Sequence, residues 1–314
     1  MEQSWARQWR PSWPCPAHDI LAQQRHGRGD PTYASEPGVS WRAFSTPLGP
    51  GVLRVTTKER DGVVSALAWG AGAEWLLESL PALLGDQDDA STFVPNHRVL
   101  EQAWRSHAHH RFGRSGLVLD SLVPAVIEQK VTTREAFASY RALVRRHGSR
   151  APGPMDGPEL WVPPDAGVLA LIPSWEWLDL RIDPARSRTL VTLARTGASL
   201  ERLVDAQRDV DSALRSLPGV GRWTSAEVRQ RSFGDPDAVS LGDYHLAKDV
   251  GWALAGRAMN DEEVEEFLRP WAGHRGRVVA LVRLAGLRRP RRGPRMTPRT
   301  HLPGGSRGGV RGGR

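Results

Sequence analysis

Leu217-Pro-Gly-Val-Gly-Arg-Trp-Thr-Ser-Ala-Glu-Val228 joins two segments of helical spacing. Before it, Val210, Ala213, Leu214 and Leu217 fall at i, i+3, i+4 and i+7, one apolar face of a helix. Pro218 cannot continue that helix, and Gly219 permits the left-handed backbone of a tight stop. Beyond Gly221, Trp223 to Phe233 reads as a second helix. The unit is helix, Gly-x-Gly hairpin, helix. Such a hairpin bares backbone N–H groups where the second helix starts, and its dipole favours an anion there. A nucleic-acid phosphate suits that position and carries no sequence preference. A plain helix–helix connection is the competing reading of the two glycines alone.

Next comes Gly234-Asp-Pro-Asp-Ala-Val-Ser-Leu-Gly242, a turn-rich loop. Asp243-Tyr-His-Leu-Ala-Lys-Asp-Val250 then opens a third helix, with Leu246, Val250 and Ala253 on one face. Asp243 falls at its start, a favoured place for a carboxylate cap. Hairpin, Gly/Pro-containing loop and Gly-Asp-Tyr-His-Leu together resemble the helix-hairpin-helix DNA glycosylases with their Gly/Pro-Asp loop. Within that superfamily the chain is similar to the 3-methyladenine DNA glycosylase II type, including its actinobacterial members. The resemblance extends over residues 40–287.

Composition sets bounds. Of 314 residues, 39% are apolar and 25% charged, a soluble globular balance with length for two domains. No apolar run is long enough to span a membrane, and the N-terminus lacks a signal-peptide core, so a cytoplasmic, membrane-free protein is expected. Cys15 is the single cysteine, which rules out an internal disulfide and a four-cysteine zinc or iron–sulfur site. The net charge of +8 is unevenly spread. Leu268 to Arg314 holds 13 arginines and no acid, which leaves residues 1–267 with a net charge of −5. Any DNA-binding face on the body is therefore local.

The fold class expected is α+β: a small antiparallel β-sheet plus helix, then an all-α helix-hairpin-helix body. Residues 1–37, with Trp5, Trp9 and Trp13, read as an arm that packs its tryptophans or stays mobile. Residues 38–112 form the α+β part. Val39–Phe44, Val52–Thr57 and Val63–Trp69 are three strands of a meander, and Glu74–Leu84 is a helix that Pro81 kinks or ends. His107, His109 and His110 read as solvated rather than metal-binding, because no carboxylate or cysteine stands at ligand spacing. Residues 113–287 are helical, with helices either side of Glu128-Gln129-Lys130-Val131 and a Thr132 or Thr133 cap. Trp175 and Trp177 are pocket candidates against a core default. Asn260 with Glu263 gives a capping box. Residues 288–314 form an Arg/Gly-rich tail expected to be disordered, which either adds salt-sensitive DNA affinity or is simply solvated.

The resemblance implies a base-excision-repair enzyme on double-stranded DNA, monomeric and without a cofactor. A flipped nucleotide would enter a pocket, and Asp243 would stabilise the oxocarbenium-like sugar or orient water. Trp223 stands where bifunctional members carry a nucleophilic lysine, which implies a monofunctional enzyme that leaves an abasic site. Gln129, Trp223, Tyr244 and Glu227 match positions of the base pocket. Gly219, Gly221, Arg222, Thr224 and Lys130 match the DNA-contacting set, with Lys130 at the wedge position usually held by an apolar or amide side chain. Glu227 replaces an expected aromatic, and Arg283 replaces an expected tryptophan. The substrate expected is an alkylated purine, 3-methyladenine-like. The alternatives are a glycosylase for another modified base and a DNA-binding module without catalysis.

Overall fold

Strand alternation on two faces builds the N-terminal third of the molecule. A computed structural model describes residues 3–58, 62–205 and 209–290. Strands β1 (Ser4–Trp9), β2 (Tyr33–Glu36), β3 (Val39–Thr46), β4 (Gly49–Lys58) and β5 (Val63–Trp69) form one sheet in the order β1-β5-β4-β3-β2. Each neighbouring pair is antiparallel. Period two then divides the side chains. Phe44, Leu53, Val55, Val64, Ala66 and Ala68 face helix α2 (Ala73–Leu83), and Trp41, Ala43, Val52 and Trp69 face Leu160 and Val162. The two-residue turn between β2 and β3 requires a left-handed residue, and Gly38 supplies it at φ 72°.

Among the described residues, 3–37 pack Trp5 and Trp9 on the sheet and its helix rather than standing off as a mobile arm. Trp5, Arg7 and Trp9 alternate with exposed neighbours along β1, and the strand pairs with β5 from Ser4↔Trp69 to Trp9↔Val64. That alternation is visible in the sequence, but the polar Arg7 hides it. The Arg7 guanidinium donates to the Leu77 carbonyl in α2 at 2.6 Å. Helix α1 (Ala17–Ala22) then buries Ala17, Ile20 and Leu21 under the sheet. Cys15 is half-buried, and that burial pushes its thiol up to about 12, so it is protonated and unreactive at neutral pH.

Among the described residues that follow, the regular structure is helical apart from a two-stranded ribbon, β6 (Ser149–Arg150) with β7 (Trp161–Val162). The helices are α3 (Arg98–His107), α4 (Val118–Ile127), α5 (Thr133–His147), α6 (Ala166–Leu171), α7 (Ser174–Asp179), α8 (Pro184–Arg195), α9 (Gly197–Glu201), α10 (Val210–Arg215), α11 (Arg222–Ser232), α12 (Leu246–Ala255), α13 (Asp261–Phe267) and α14 (Arg275–Leu284). They surround two cores. One runs from α4 to α11 and is centred on Leu122, Val126, Leu143, Trp177 and Leu190. The other joins α3 to α12, α13 and α14 through Leu100, Val250, Val264, Val278 and Leu281. Helix α3 therefore packs with the C-terminal helices and not with the sheet, which moves it out of the 38–112 unit.

The capping box expected at Asn260 with Glu263 forms, and of the two threonines it is Thr132 that caps α5, in a capping box with Glu135. Trp177 is 1% exposed and donates to the Ile172 carbonyl, so it is core, whereas Trp175 is 65% exposed. Pro81 lies inside α2 near its end. Residues 291–314, which include nearly all of the Arg/Gly-rich tail, lie outside the described residues.

Two buried ion pairs join these parts, and no local pattern announces either. Arg42 of β3 contacts Asp120 in the first turn of α4 at 2.7 Å, with side-chain exposures of 0% and 4%. Arg277 of α14 contacts Asp88 at 2.5 Å, both fully buried. Beside the second pair lies His110, which is buried rather than solvated. Burial, together with the charges of Arg277, His107 and Arg111, pushes its imidazole down to about 4. Neutral His110 is thus the folded form. Its contribution to stability is full above the unfolded value near 6.5 and is lost progressively as pH falls towards 4. The loss is of order 3 kcal/mol. Thermal melts from pH 7 to 4 should show a steeper decline for the parent than for His110→Gln, and parallel curves would contradict this.

Candidate active site

The hairpin is shaped by a left-handed glycine and by side chains that staple its two arms. After α10, Leu217 N–H bonds the Leu214 carbonyl and Val220 N–H bonds the Leu217 carbonyl. Gly219 adopts φ 81°, and a Cβ there would lie 2.3 Å from Thr189 Oγ1. Ser225 of α11 donates to Asp211 of α10 at 2.7 Å, and Val220 is buried between the arms. Helix α11 is held in turn on α4, where Ser232 donates to the Leu117 carbonyl and contacts Ser121, both at 2.8 Å.

The face of the hairpin is left bare. Helix α11 has Gly221 as its N-cap and no side chain capping it. Among the described residues, the amides of Gly219, Gly221, Arg222, Trp223 and Thr224 meet no acceptor. Gly221 is exposed, and nothing lies within 4 Å of where its Cβ would be. Unpaired amides at a helix start with open space before them are the geometry of an anion site.

The turn after α4 leans on this hairpin. Gln129 Nε2 donates to the Gly219 carbonyl at 2.9 Å and to Thr224 Oγ1 at 2.8 Å. Both amide hydrogens are therefore spent on the hairpin, and the Thr224 side chain, 2% exposed, is spent on Gln129. With its side chain buried, Thr224 has an unpaired backbone amide to offer an anion. Lys130 follows at the exposed tip with φ 55°, a left-handed backbone that side chains rarely adopt. Arg222 is half-exposed and bonds Glu265 of α13 at 2.6 Å.

Asp243 stands across from α11. Its Oδ1 accepts from the amides of His245 and Leu246 at 2.8 and 3.0 Å. This cap places residues 243–245 in a turn ahead of α12, so the helix begins at Leu246 rather than at Asp243 itself. The carboxylate remains 29% exposed, with Arg283 Nη2 3.7 Å from Oδ2. The preceding loop is clamped on both sides. Asp235 bonds Arg229, Asp237 accepts from the amides of Gly273 and Arg275 and from the Arg275 side chain, and Gln230 donates to the Ala238 carbonyl at 2.7 Å. Asp249 points elsewhere and accepts from the Arg289 amide.

Glu227 ties this loop to α11. It is buried, accepts from Ser240 at 2.5 Å and pairs with Arg231. Burial alone would raise its carboxyl, but Arg231, Ser240 and the field of Arg283 outweigh that and hold it below the usual carboxylate range. Trp223, one turn earlier on α11 and half-buried, lies where a Cβ on Gly242 would meet its Cβ at 3.8 Å. Trp223, Glu227, Asp243 and Arg283 thus converge. Tyr244 is 76% exposed, with Lys248 Nζ 3.7 Å above its ring, so it stands outside that group. The sequence expected Arg283 only as a departure from a pattern; its pairing with Asp243 spans 40 residues and has no local signal. A cavity of about 390 Å³ between the β3–β4 turn and α4, α5 and α9 contains none of these residues.

No protein-family model matches the chain. Over 158 residues, 48% of its length, it is 32% identical to the probable bifunctional transcriptional activator/DNA repair enzyme AlkA of Mycobacterium tuberculosis, and it spans 31% of that relative. Among solved structures it superimposes on a 3-methyladenine DNA glycosylase from Archaeoglobus fulgidus with a TM-score of 0.73, at 17% identity, covering 89% of this chain and 97% of that one. An 8-oxoguanine glycosylase/lyase from Clostridium acetobutylicum gives 0.68 at 11% identity, covering 90% and 98%. The chain is therefore similar to AlkA over about half of its length and shares the α+β fold of these glycosylase structures.

The two hairpin glycines should respond differently to alanine. Gly219→Ala forces a side chain into a left-handed backbone and onto Thr189, and should cost about 1–3 kcal/mol in urea unfolding. Gly221→Ala meets no neighbour and should leave the unfolding midpoint nearly unchanged while weakening duplex-DNA binding, since its methyl fills the space before the bare amides. Equal destabilisation by both would contradict the assignment.

Proposed function

We propose that this chain is a monofunctional DNA glycosylase of base excision repair that hydrolyses the N-glycosidic bond of alkylated purines in double-stranded DNA. The observation that carries the reading is Asp243: a partly exposed carboxylate, fixed by two amides, whose preceding residue Gly242 abuts Trp223 in the first turn of α11, where the hairpin leaves N–H groups unpaired. A phosphate pinned on the amides of Gly219 to Thr224 would set the register of the strand. A nucleotide turned out of the stack would then present its sugar to Asp243. Negative charge at that point stabilises the oxocarbenium character that develops as the bond to the base breaks, and a preorganised charge needs no reorganisation during the step. Mere phosphate binding requires no such carboxylate, which speaks against a DNA-binding module without catalysis.

Homology to a DNA repair enzyme and the fold shared with a 3-methyladenine glycosylase support the alkylated-purine assignment. The monofunctional assignment rests on Trp223, which carries no amine to attack C1′ at the start of α11. Lys130 at its strained tip is the residue we assign to fill the gap in the duplex. Trp223 and Glu227 would line the base pocket, whereas Gln129 would act by bracing the hairpin.

Parent protein and Asp243→Asn should be incubated with duplexes carrying alkylated purines, and the released bases identified. The expected result is release by the parent and a loss of at least about 100-fold in the variant, the scale on which removing one transition-state charge partner acts. Strands should break only after alkali treatment. Breakage without alkali would overturn the monofunctional assignment, and equal release by the variant would overturn the role of Asp243.

A further inference from the structure

Among the described residues around Asp243, Arg283 is an exposed cation with no side-chain hydrogen bond. Arg231 is committed to Glu227, and Arg275 is committed to Asp237. Among the described residues, Arg283 has a 3.7 Å ion pair with Asp243 and no hydrogen bond, and its side chain is 48% exposed. Its charge also reaches the buried Glu227, helping to hold that carboxyl below the usual range. A positive fork therefore stands beside the carboxylate that would face C1′. The base nitrogen is one bond from C1′, so a guanidinium at that place reaches the edge of the base.

Resting on the glycosylase reading above, we propose that Arg283 determines the substrate class: alkylated purines that are electrically neutral in DNA, such as ring-fused adducts, in preference to cationic N-methylpurines. Two physical effects point the same way. A cationic base would be brought against a positive charge beside the partly buried Asp243, which costs binding. A neutral base, in contrast, must leave with the electron pair of the broken C1′–N bond and becomes anionic as it departs. Arg283 donates hydrogen bonds to that developing anion. Water supplies the remaining atoms: its oxygen bonds C1′, one proton passes by way of Asp243 to solvent, and the departing base takes one proton from solvent. The products are a neutral purine and an abasic sugar. A cationic base leaves neutral and needs no such partner, so Arg283 contributes only repulsion there.

The test compares kcat/KM for single 1,N6-ethenoadenine, which is neutral, with that for single 7-methylguanine, which is cationic, in otherwise identical duplexes. Parent, Arg283→Gln, Arg283→Lys and Asp243→Asn are measured, with thermal melts to confirm folding. The parent should favour the neutral lesion. Arg283→Gln should lose about 100-fold on it, the effect of removing one donor to developing charge, and should lose less on the cationic lesion, so that the neutral-to-cationic ratio falls. Residual release of the neutral base by Arg283→Gln should also become acid-dependent, since protonation of the base then replaces the missing donor. Arg283→Lys should fall between. Asp243→Asn should lose both activities. A parent that favours 7-methylguanine, with a ratio unmoved by Arg283→Gln, overturns the inference and leaves the glycosylase reading intact. Absence of release of either base by the parent overturns both.

Discussion

A buried, ionised glutamate holds the site together. Glu227 sits on the inner face of α11, out of water, and its charge is sustained by Arg231 and by the hydroxyl of Ser240. An unpaired carboxylate in that position would be costly, so the loop bearing Ser240 is compelled to close over α11. Asp243 is three residues further along the same loop. Its location is thus a consequence of charge neutralisation in the interior rather than of helix geometry alone. The same arrangement explains why the loop is rich in acids. Asp235 and Asp237 extend the clamp to Arg229 and Arg275, and between them these contacts leave residues 234–242 little freedom.

Polar chemistry and packing divide the labour. Apolar residues of the two helical cores fix where α11 and α14 run. Hydrogen bonds then decide what those helices display to solvent. The bare amides of the hairpin are an example. Gln129 and Thr224 satisfy each other and the Gly219 carbonyl, which leaves only donors facing outwards. Negative charge on the body, noted from the composition, makes this local positive potential the more distinct.

Contiguous chemistry was legible in the sequence. The hairpin, the loop and Asp243 lie within 27 residues, and three strands, the Asn260 capping box and the major helices follow local patterns that a single chain displays. Tertiary partnerships were not. Arg283 meets Asp243, Arg42 meets Asp120 and Arg277 meets Asp88 over separations that no local pattern encodes. His110 seemed an ordinary surface histidine because its neighbours in sequence are polar, yet Arg277 and Phe112 enclose it. Strand β1 was hidden for a related reason: Arg7 interrupts an alternation whose meaning depends on α2 lying above it. Tyr244 illustrates the opposite case, a side chain whose place in a motif does not fix where it points.

The two buried arginine–aspartate pairs both cross the boundary near residue 112. Asp88 and Arg42 come from before it, and Arg277 and Asp120 from after. Severing the chain there would expose one naked anion and one naked cation inside the C-terminal piece, each a defect of roughly 3–5 kcal/mol. Helix α3 would be missing from its core as well. The sheet is therefore an obligate chaperone of the body that follows it, and the molecule should melt as one cooperative unit although its architecture reads as separate layers.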